Sequence, residues 1–284
     1  MINLNQENNN LIVTAYYKIK NKRESNLFID WIKNFFFLKS FKVVYTNRDT
    51  LENVFMNLYK NIVKFNNQND KYIDISINSL FVIQELEDTF IWKNYKHLMD
   101  FSEKKDVEIL KGINHNKYLY TIWNNKTFWL KETSEFIHSK SYYWVDIGCI
   151  RYPSTKNVQL FVSSLDFVNR KNTKIIFSII DEFKNDEFYV NNIPYIYYNN
   201  GEVTRIQGGF FGGGKNELIE FSNLYIDELN LFEKFKVFAG KDQYIMGSIY
   251  LKYKYKFDIF IPKNESYNER YCDDIWFRFL KLFG

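Results

Sequence analysis

Apolar positions along this chain come in short runs broken by polar turns. Leu11-Ile12-Val13-Thr14-Ala15-Tyr16-Tyr17 is continuous enough to predict a buried strand. A polar turn, Lys18 to Ser25, leads to Leu27, Ile29, Trp31, Ile32, Phe35 and Phe36, which recur with helical spacing behind Ser25 or Asn26 as a cap. Phe41 to Thr46 predicts a second strand ending at Asn47, and a further helix starts after Asp49 or Thr50. Strand and helix alternating over short connections predict a parallel sheet. Tyr72 to Ile77 reads as another strand, Leu80 to Lys111 as mostly helix, and Asn116 to Ile137 as an aromatic-rich helix. Tyr142 to Gly148 is an apolar strand that ends in an acid and a glycine. Such an ending presents a carboxylate at the carboxyl edge of a parallel sheet, where ligands bind. Beyond it, Val158 to Val168 fits helix or strand, Lys174 to Ile180 a strand, and Glu187 to Tyr198 a strand interrupted by Pro194. Asn216 to Phe235 reads as helix, more helix follows Gln243, and Tyr255 to Ile261 is a last strand. No repeat, linker or low-complexity tail divides the chain, so residues 1–284 are expected to form one α/β domain.

Composition narrows the function classes. Hydrophobic residues are 46 % and charged residues 25 %, ordinary for a globular protein, while aromatic residues reach 20 %. Most of these rings are expected in the core, with a minority left for stacking on sugars or bases. The net charge is +4, with Lys and Arg interspersed among Asp and Glu, which disfavours nucleic acid as a partner. Two cysteines, Cys149 and Cys272, exclude a multi-disulfide scaffold and a multi-cysteine zinc site. Met1 to Asn10 lacks the basic start and apolar run of a signal peptide, and no run approaches the roughly 18 apolar residues of a membrane span. A cytoplasmic protein is therefore expected.

Four segments carry candidate chemistry. In Trp144-Val145-Asp146-Ile147-Gly148-Cys149-Ile150-Arg151, Asp146 could bind Mn²⁺ or Mg²⁺ bridging a diphosphate, and Gly148 would let a ligand approach the backbone. The alternative is a solvated acid at a strand end. The second segment lies in Gly201 to Gly214, which holds six of the eleven glycines and includes Gln207-Gly208-Gly209-Phe210-Phe211-Gly212. Flexibility alone does not explain two Phe among glycines, so a tight loop laying rings or amides against a small ligand is expected. A glycine-rich hairpin that packs both Phe inward is the alternative. The third segment is Gly240-Lys241-Asp242-Gln243-Tyr244, which also fits a plain helix start with an acid at the positive dipole end. The fourth, Ile122 to Glu132, offers core aromatics and Lys126, which could reach a phosphate or remain solvated. The first strand has no glycine-rich turn after it, and no GxxxxGK[ST], HExxH or GxSxG occurs. That disfavours a Rossmann dehydrogenase, a P-loop NTPase, a zinc hydrolase and an α/β-hydrolase.

In order along the chain, Val13 to Tyr17, Trp123 to Glu132, Trp144 to Arg151, Gln207 to Gly213 and Asp242-Gln243 resemble the HtrL/YibB (WlaTC-like) family of bacterial glycosyltransferases. The resemblance implies a GT-A fold with a Rossmann-like, mostly parallel central sheet flanked by helices. The nucleotide-binding half would be about 11–150 and the acceptor half about 151–284. It implies a nucleotide-sugar donor, UDP-linked, and a glycan or protein acceptor. Thr14, Ala15, Tyr16, Tyr17, Asn47, Lys126, Asp146 and Gly148 would then bind the nucleotide-sugar, with Tyr17 stacked on the base and a divalent metal on Asp146. Gln207, Gly208, Gly209, Phe210, Phe211 and Gly212 would hold the donor sugar and acceptor, and Asp242 with Gln243 would be catalytic. Phe210-Phe211-Gly212-Gly213 followed by Asp242-Gln243 is also similar to the FFGG loop and later acidic pair of the retaining histo-blood-group transferases. Gln243 stands where those enzymes carry Glu, and Gly148 replaces the second acid of a DxD motif. Two other readings stand beside this one: a GT-A shell that binds glycans without turnover, and a nucleotidyltransferase, for which Tyr17-Lys18-Ile19-Lys20 is a poor match.

Overall fold

The computed structural model describes residues 10–19, 26–66, 68–151, 174–183, 204–260 and 279–280. Val158 to Val168, Glu187 to Tyr198 and Cys272 lie outside the described residues. The first strand is β1 (Asn10–Ala15), followed by helix α1 (Asn26–Phe35) and β2 (Lys42–Thr46). Next come two single turns, α2 (Arg48–Thr50) and α3 (Met56–Leu58), flanking a π-helical stretch, Leu51–Phe55. Three short strands follow: β3 (Val63–Lys64), β4 (Lys71–Asp74) and β5 (Ser79–Ile83). Helices α4 (Phe90–Lys105), α5 (Val107–Leu110) and α6 (Lys117–Phe136) lead to β6 (Ser141–Val145). The rest comprises β7 (Ile175–Ile179), β8 (Ile206–Gly213), α7 (Lys215–Lys234), α8 (Asp242–Lys252) and β9 (Phe257–Phe260).

These strands form one nine-stranded sheet in the order β3-β4-β5-β2-β1-β6-β8-β7-β9. Strands β5, β2, β1 and β6 are mutually parallel, while β4 and β8 run against the other strands. The sheet is thus mixed, with a parallel centre. Helices cover both faces, as alternation along the strands requires. Leu11, Val13, Val43, Tyr45, Tyr142 and Trp144 face one apolar core with α4, α6, α7 and α8. Ile12, Val44, Phe81, Tyr143 and Val145 face a second, under α1 and the 51–55 stretch. The aromatic content is spent largely here. Trp129 of α6 stacks against Tyr17, Tyr45 and Trp144 at 5.8, 5.5 and 5.9 Å between ring centroids.

Two expectations are corrected. Leu80 to Lys111 does not begin as helix, because Ser79–Ile83 is β5, paired in parallel with β2. A four-residue apolar run fits either state, and burial between two strands decides it. Gly208 to Gly213 does not form a loop, because Ile206–Gly213 is a fully buried strand between β6 and β7. Its glycines admit neighbours rather than ligand: a Cβ on Gly212 would lie 2.1 Å from the Tyr142 carbonyl oxygen. Phe177 pairs with Phe211 and Ile179 with Ile206, so β8 places four residues opposite the single Ser178. The register shift falls within Gln207 to Phe210, and bulges re-aim a chain where they interrupt a ladder.

Candidate functional site

From β1 the chain moves outward to β2 and β5, then crosses back to place β6 on the other side of β1. The strand order reverses there, and in open α/β sheets ligands bind outside the carboxyl ends of the strands at that point. Ala15 ends β1 at this carboxyl edge, with Tyr16 next, and Asp146 is the first residue past β6. The Asp146 backbone N–H donates to Gly209 O (3.0 Å), which ties the strand end to the bulge of β8. Trp144 Nε1 donates to Asp146 Oδ1 (2.7 Å), and the Asp146 side chain remains 33 % exposed.

Helix α6 supplies a polar run in an otherwise packed helix. Asn124, Asn125, Lys126 and Thr127 are all buried. The Lys126 ammonium donates to Gly208 O (2.8 Å) and forms ion pairs with Asp242 Oδ2 (3.0 Å) and Asp146 Oδ1 (3.3 Å). Burial pulls its pKa down, and Asp146 and Asp242 together more than reverse this, so it sits above the ordinary lysine value. Asn124 steers the other partner. Its Nδ2 donates to Ala239 O (3.0 Å) and its Oδ1 accepts from Tyr225 OH (2.7 Å), while Ser102 Oγ accepts from Ala239 N–H (2.9 Å). The segment before α8 is held from three helices at once, and Asp242 opens α8 where that segment delivers it.

Asp242 is buried, and its Oδ1 accepts from Gln243 N–H (3.0 Å). Burial raises its carboxyl pKa, against the pull of Lys126. The helix dipole adds only about 0.3–1 kcal/mol to an acid placed there, whereas breaking a buried ion pair typically removes about 3–5 kcal/mol, so Lys126 dominates. Gly208 permits the approach, since a Cβ there would stand 2.9 Å from both Asp242 carboxylate oxygens. Thus Asp146, Gly208, Gly209, Asp242 and Gln243, spread over nearly a hundred residues of sequence, meet around Lys126.

The other expected site residues are placed differently. Tyr17 is 3 % exposed and stacked on Trp129, so its ring is not offered to a base. Thr14 is fully buried in β1, and Tyr16 packs its ring on Phe28 and Phe55. Asn47 caps α2 by accepting from Thr50 N–H (2.9 Å). Gly148 packs under Phe28, where a Cβ would lie 2.7 Å from the ring. Gln207 is buried and accepts from Ser178 Oγ. Phe210 stacks on Tyr143 and Phe279 in the second core, and Phe211 packs on Phe177 and Phe221 in the first. Both rings are therefore core, and the inward-packing alternative describes them correctly. Lys126 has its ammonium engaged by protein oxygens rather than held out for a phosphate. Sequence reasoning missed Asn124 and Trp144 as site-building residues. The signal was present as an Asn-Asn-Lys-Thr run inside an aromatic helix.

The metal expected on Asp146 would meet a carboxylate whose Oδ1 already accepts from Trp144 Nε1 (2.7 Å) and pairs with the Lys126 ammonium (3.3 Å). Among the described residues, Asp106, Glu108 and His115 bring three ligand atoms within 4.8 Å of one another and could hold a metal ion. Those atoms also satisfy one another. His115 Nδ1 lies 2.8 Å from Asp106 Oδ2, and Tyr120 OH donates to the same oxygen (2.6 Å). Lys241 pairs with Glu108 (2.8 Å). A cavity of about 210 Å³ lies elsewhere, against Ile175, Phe221 and Phe257, and touches none of these groups. Among the described residues, no helix is long and apolar enough to cross a membrane. No protein-family model matches the chain, and no curated protein matches its sequence.

Proposed function

We propose that this chain is a nucleotide-sugar-dependent glycosyltransferase of GT-A arrangement, moving a sugar from a UDP-linked donor to a glycan or protein acceptor. The observation that carries the reading is the meeting of Asp146, the Gly208-Gly209 bulge and Asp242-Gln243 at the switch point of a parallel sheet. The resemblance to the HtrL/YibB family, stated on the same segments, points the same way. In this reading the carboxyl edge at Ala15, Tyr16 and Asp146 takes the nucleotide, and Asp146 accepts hydrogen bonds from donor hydroxyls. Asp242 lies below the reacting sugar. Both its oxygens are engaged, by Lys126 and by Gln243 N–H, so its role is electrostatic: a fixed negative charge beside a developing oxocarbenium ion. The acceptor hydroxyl bonds to the anomeric carbon as the bond to the diphosphate oxygen breaks; the diphosphate leaves with that electron pair and takes up the hydroxyl proton. Gln243 has no carboxylate and serves as a hydrogen-bonding partner.

The test is a UDP-release assay over a panel of UDP-sugars, run with EDTA and with Mn²⁺. Release is expected with at least one donor, and Asp242→Asn, which also weakens the buried ion pair, should lower kcat on the order of 10²-fold per folded molecule. No release and no thermal stabilisation by any nucleotide-sugar would sink the proposal. The engaged oxygens of Asp242 also favour a second reading, a shell that binds glycan or nucleotide-sugar without turnover. Stabilisation by a donor without any UDP release would select it.

A further inference from the structure

Three oxygens surround the Lys126 ammonium: Gly208 O at 2.8 Å, Asp242 Oδ2 at 3.0 Å and Asp146 Oδ1 at 3.3 Å. Two carboxylates and a backbone carbonyl are the hard-oxygen donor set that Ca²⁺, Mg²⁺ and Mn²⁺ prefer. Among the described residues Asp242 Oδ2 accepts no hydrogen bond, and the ammonium meets the two carboxylate oxygens as ion pairs while donating a hydrogen bond to Gly208 O. Below it, the Trp144 ring centroid lies 5.4 Å from Nζ, a further attraction for a cation. The lysine side chain is 4 % exposed and anchored by its own helix, so it does not exchange with solvent cations. A second cation entering between the acids would meet the ammonium at close range in a poorly screened setting.

We infer that Lys126 takes the place of a divalent cation at this site, a tethered charge that holds Asp146 and Asp242 together. Both acids then keep a fixed separation whether or not metal is available. The charge that a soluble ion would bring on binding is built in when the chain folds. This inference concerns cation binding alone and does not need the glycosyltransferase reading.

Mn²⁺ titrations followed by the electron paramagnetic resonance of the free ion test it without turnover. The wild-type chain is expected to leave the free Mn²⁺ signal unchanged at the Asp146 site. Lys126→Ala, which empties the cage, is expected to take up one equivalent and to gain thermal stability with Mn²⁺. Lys126→Ala combined with Asp146→Asn should lose that uptake. Any wild-type uptake abolished by His115→Ala but kept by Asp146→Asn belongs to the Asp106 group, and leaves the lysine as the cation of this site. Wild-type uptake abolished by Asp146→Asn overturns the inference, as does a folded Lys126→Ala that takes up nothing. Should Lys126→Ala not fold, the wild type against Asp146→Asn decides alone. A UDP-sugar panel that fails entirely would remove the proposed activity and leave these titrations standing.

Discussion

Lys126 and Lys42 are both buried at opposite edges of the same parallel strands, and they are solvated in opposite ways. Lys42 opens β2 at the amino edge, fully buried. Its ammonium donates to three backbone carbonyls, Leu38 O (2.5 Å), Ser40 O (2.9 Å) and Ile77 O (3.0 Å), and among the described residues no carboxylate pairs with it. Burial lowers its pKa to about 7. Lys126 sits at the carboxyl edge with two carboxylates and one carbonyl, and its pKa is raised. Three carbonyls gather the ends of α1 and the turn before β5, which is a structural duty. Two acids facing one cation have no such economy: a pair of apolar residues would pack those positions at least as well. The Lys126 charges lie at the strand-order reversal, and the Lys42 charge at the opposite edge of the same strands.

The largest expected effect breaks the pair at its charged end. Lys126→Met leaves buried Asp242 and partly exposed Asp146 without their counter-charge and should destabilise the fold by about 3–5 kcal/mol in urea unfolding at pH 7.5. Lys42→Met leaves only carbonyls short of a donor and should remove about 1–3 kcal/mol. Acid should partly rescue Lys126→Met, because protonating Asp242 removes the repulsion. Equal losses in the two variants would show that the acids add nothing, and the contrast between the edges would fall.

Much of this arrangement was legible in the sequence. β1, β2 and β6 were readable because each is a β-branched or aromatic run bounded by polar residues, and Asp146 because an acid closes such a run. Asp242 was readable as a helix-start acid. What pattern could not supply was the direction of β8. Gly208 to Gly213 looks like a loop because loops and strands in crowded places both need residues without a Cβ. Only the contacts, Tyr142 O against Gly212 and the Asp242 carboxylate against Gly208, tell them apart. Lys126 was legible as a site residue but not in its role, since its partners lie 20 and 116 residues away along the chain. Tyr17 failed for a related reason: an aromatic at a strand end reads equally as a stacking platform or as the neighbour of a Trp not yet placed.

A pH series sharpens the comparison at the Lys42 end. The folded value of about 7 lies below the ordinary 10.5, so between them the unfolded chain holds one proton more than the fold. Lys42 therefore stabilises increasingly as pH rises, and that contribution is lost as pH falls through about 7. The stability difference between wild type and Lys42→Met should grow by about 2.7 kcal/mol from pH 6 to pH 9, allowing about 1.4 kcal/mol per pH unit once past the folded value. For Lys126 the sign is reversed. Its pKa is raised, so its contribution is complete below 10.5 and fades only above it. The corresponding difference for Lys126→Met should stay level from pH 7 to pH 9. A matching slope in both series would mean that the acids do not hold Lys126 charged.

The smallest expected effect separates helix stability from site geometry. Gly247 lies buried in α8, five residues beyond Asp242, and a Cβ there meets nothing within 4 Å. Glycine inside a helix is about 0.8–1.0 kcal/mol less favourable than alanine. Gly247→Ala should therefore stabilise the fold by roughly 0.5–1 kcal/mol, read as a small rise in Tm. The substitution leaves Lys126, Asp146 and Asp242 untouched. If the carboxyl edge depends on the geometry of that triad, ligand affinity and the response to Mn²⁺ should match wild type while stability rises. If both shift with stability, the acids respond to how firmly α8 is wound, and the lysine is a strut of the helix packing rather than the cation of a site.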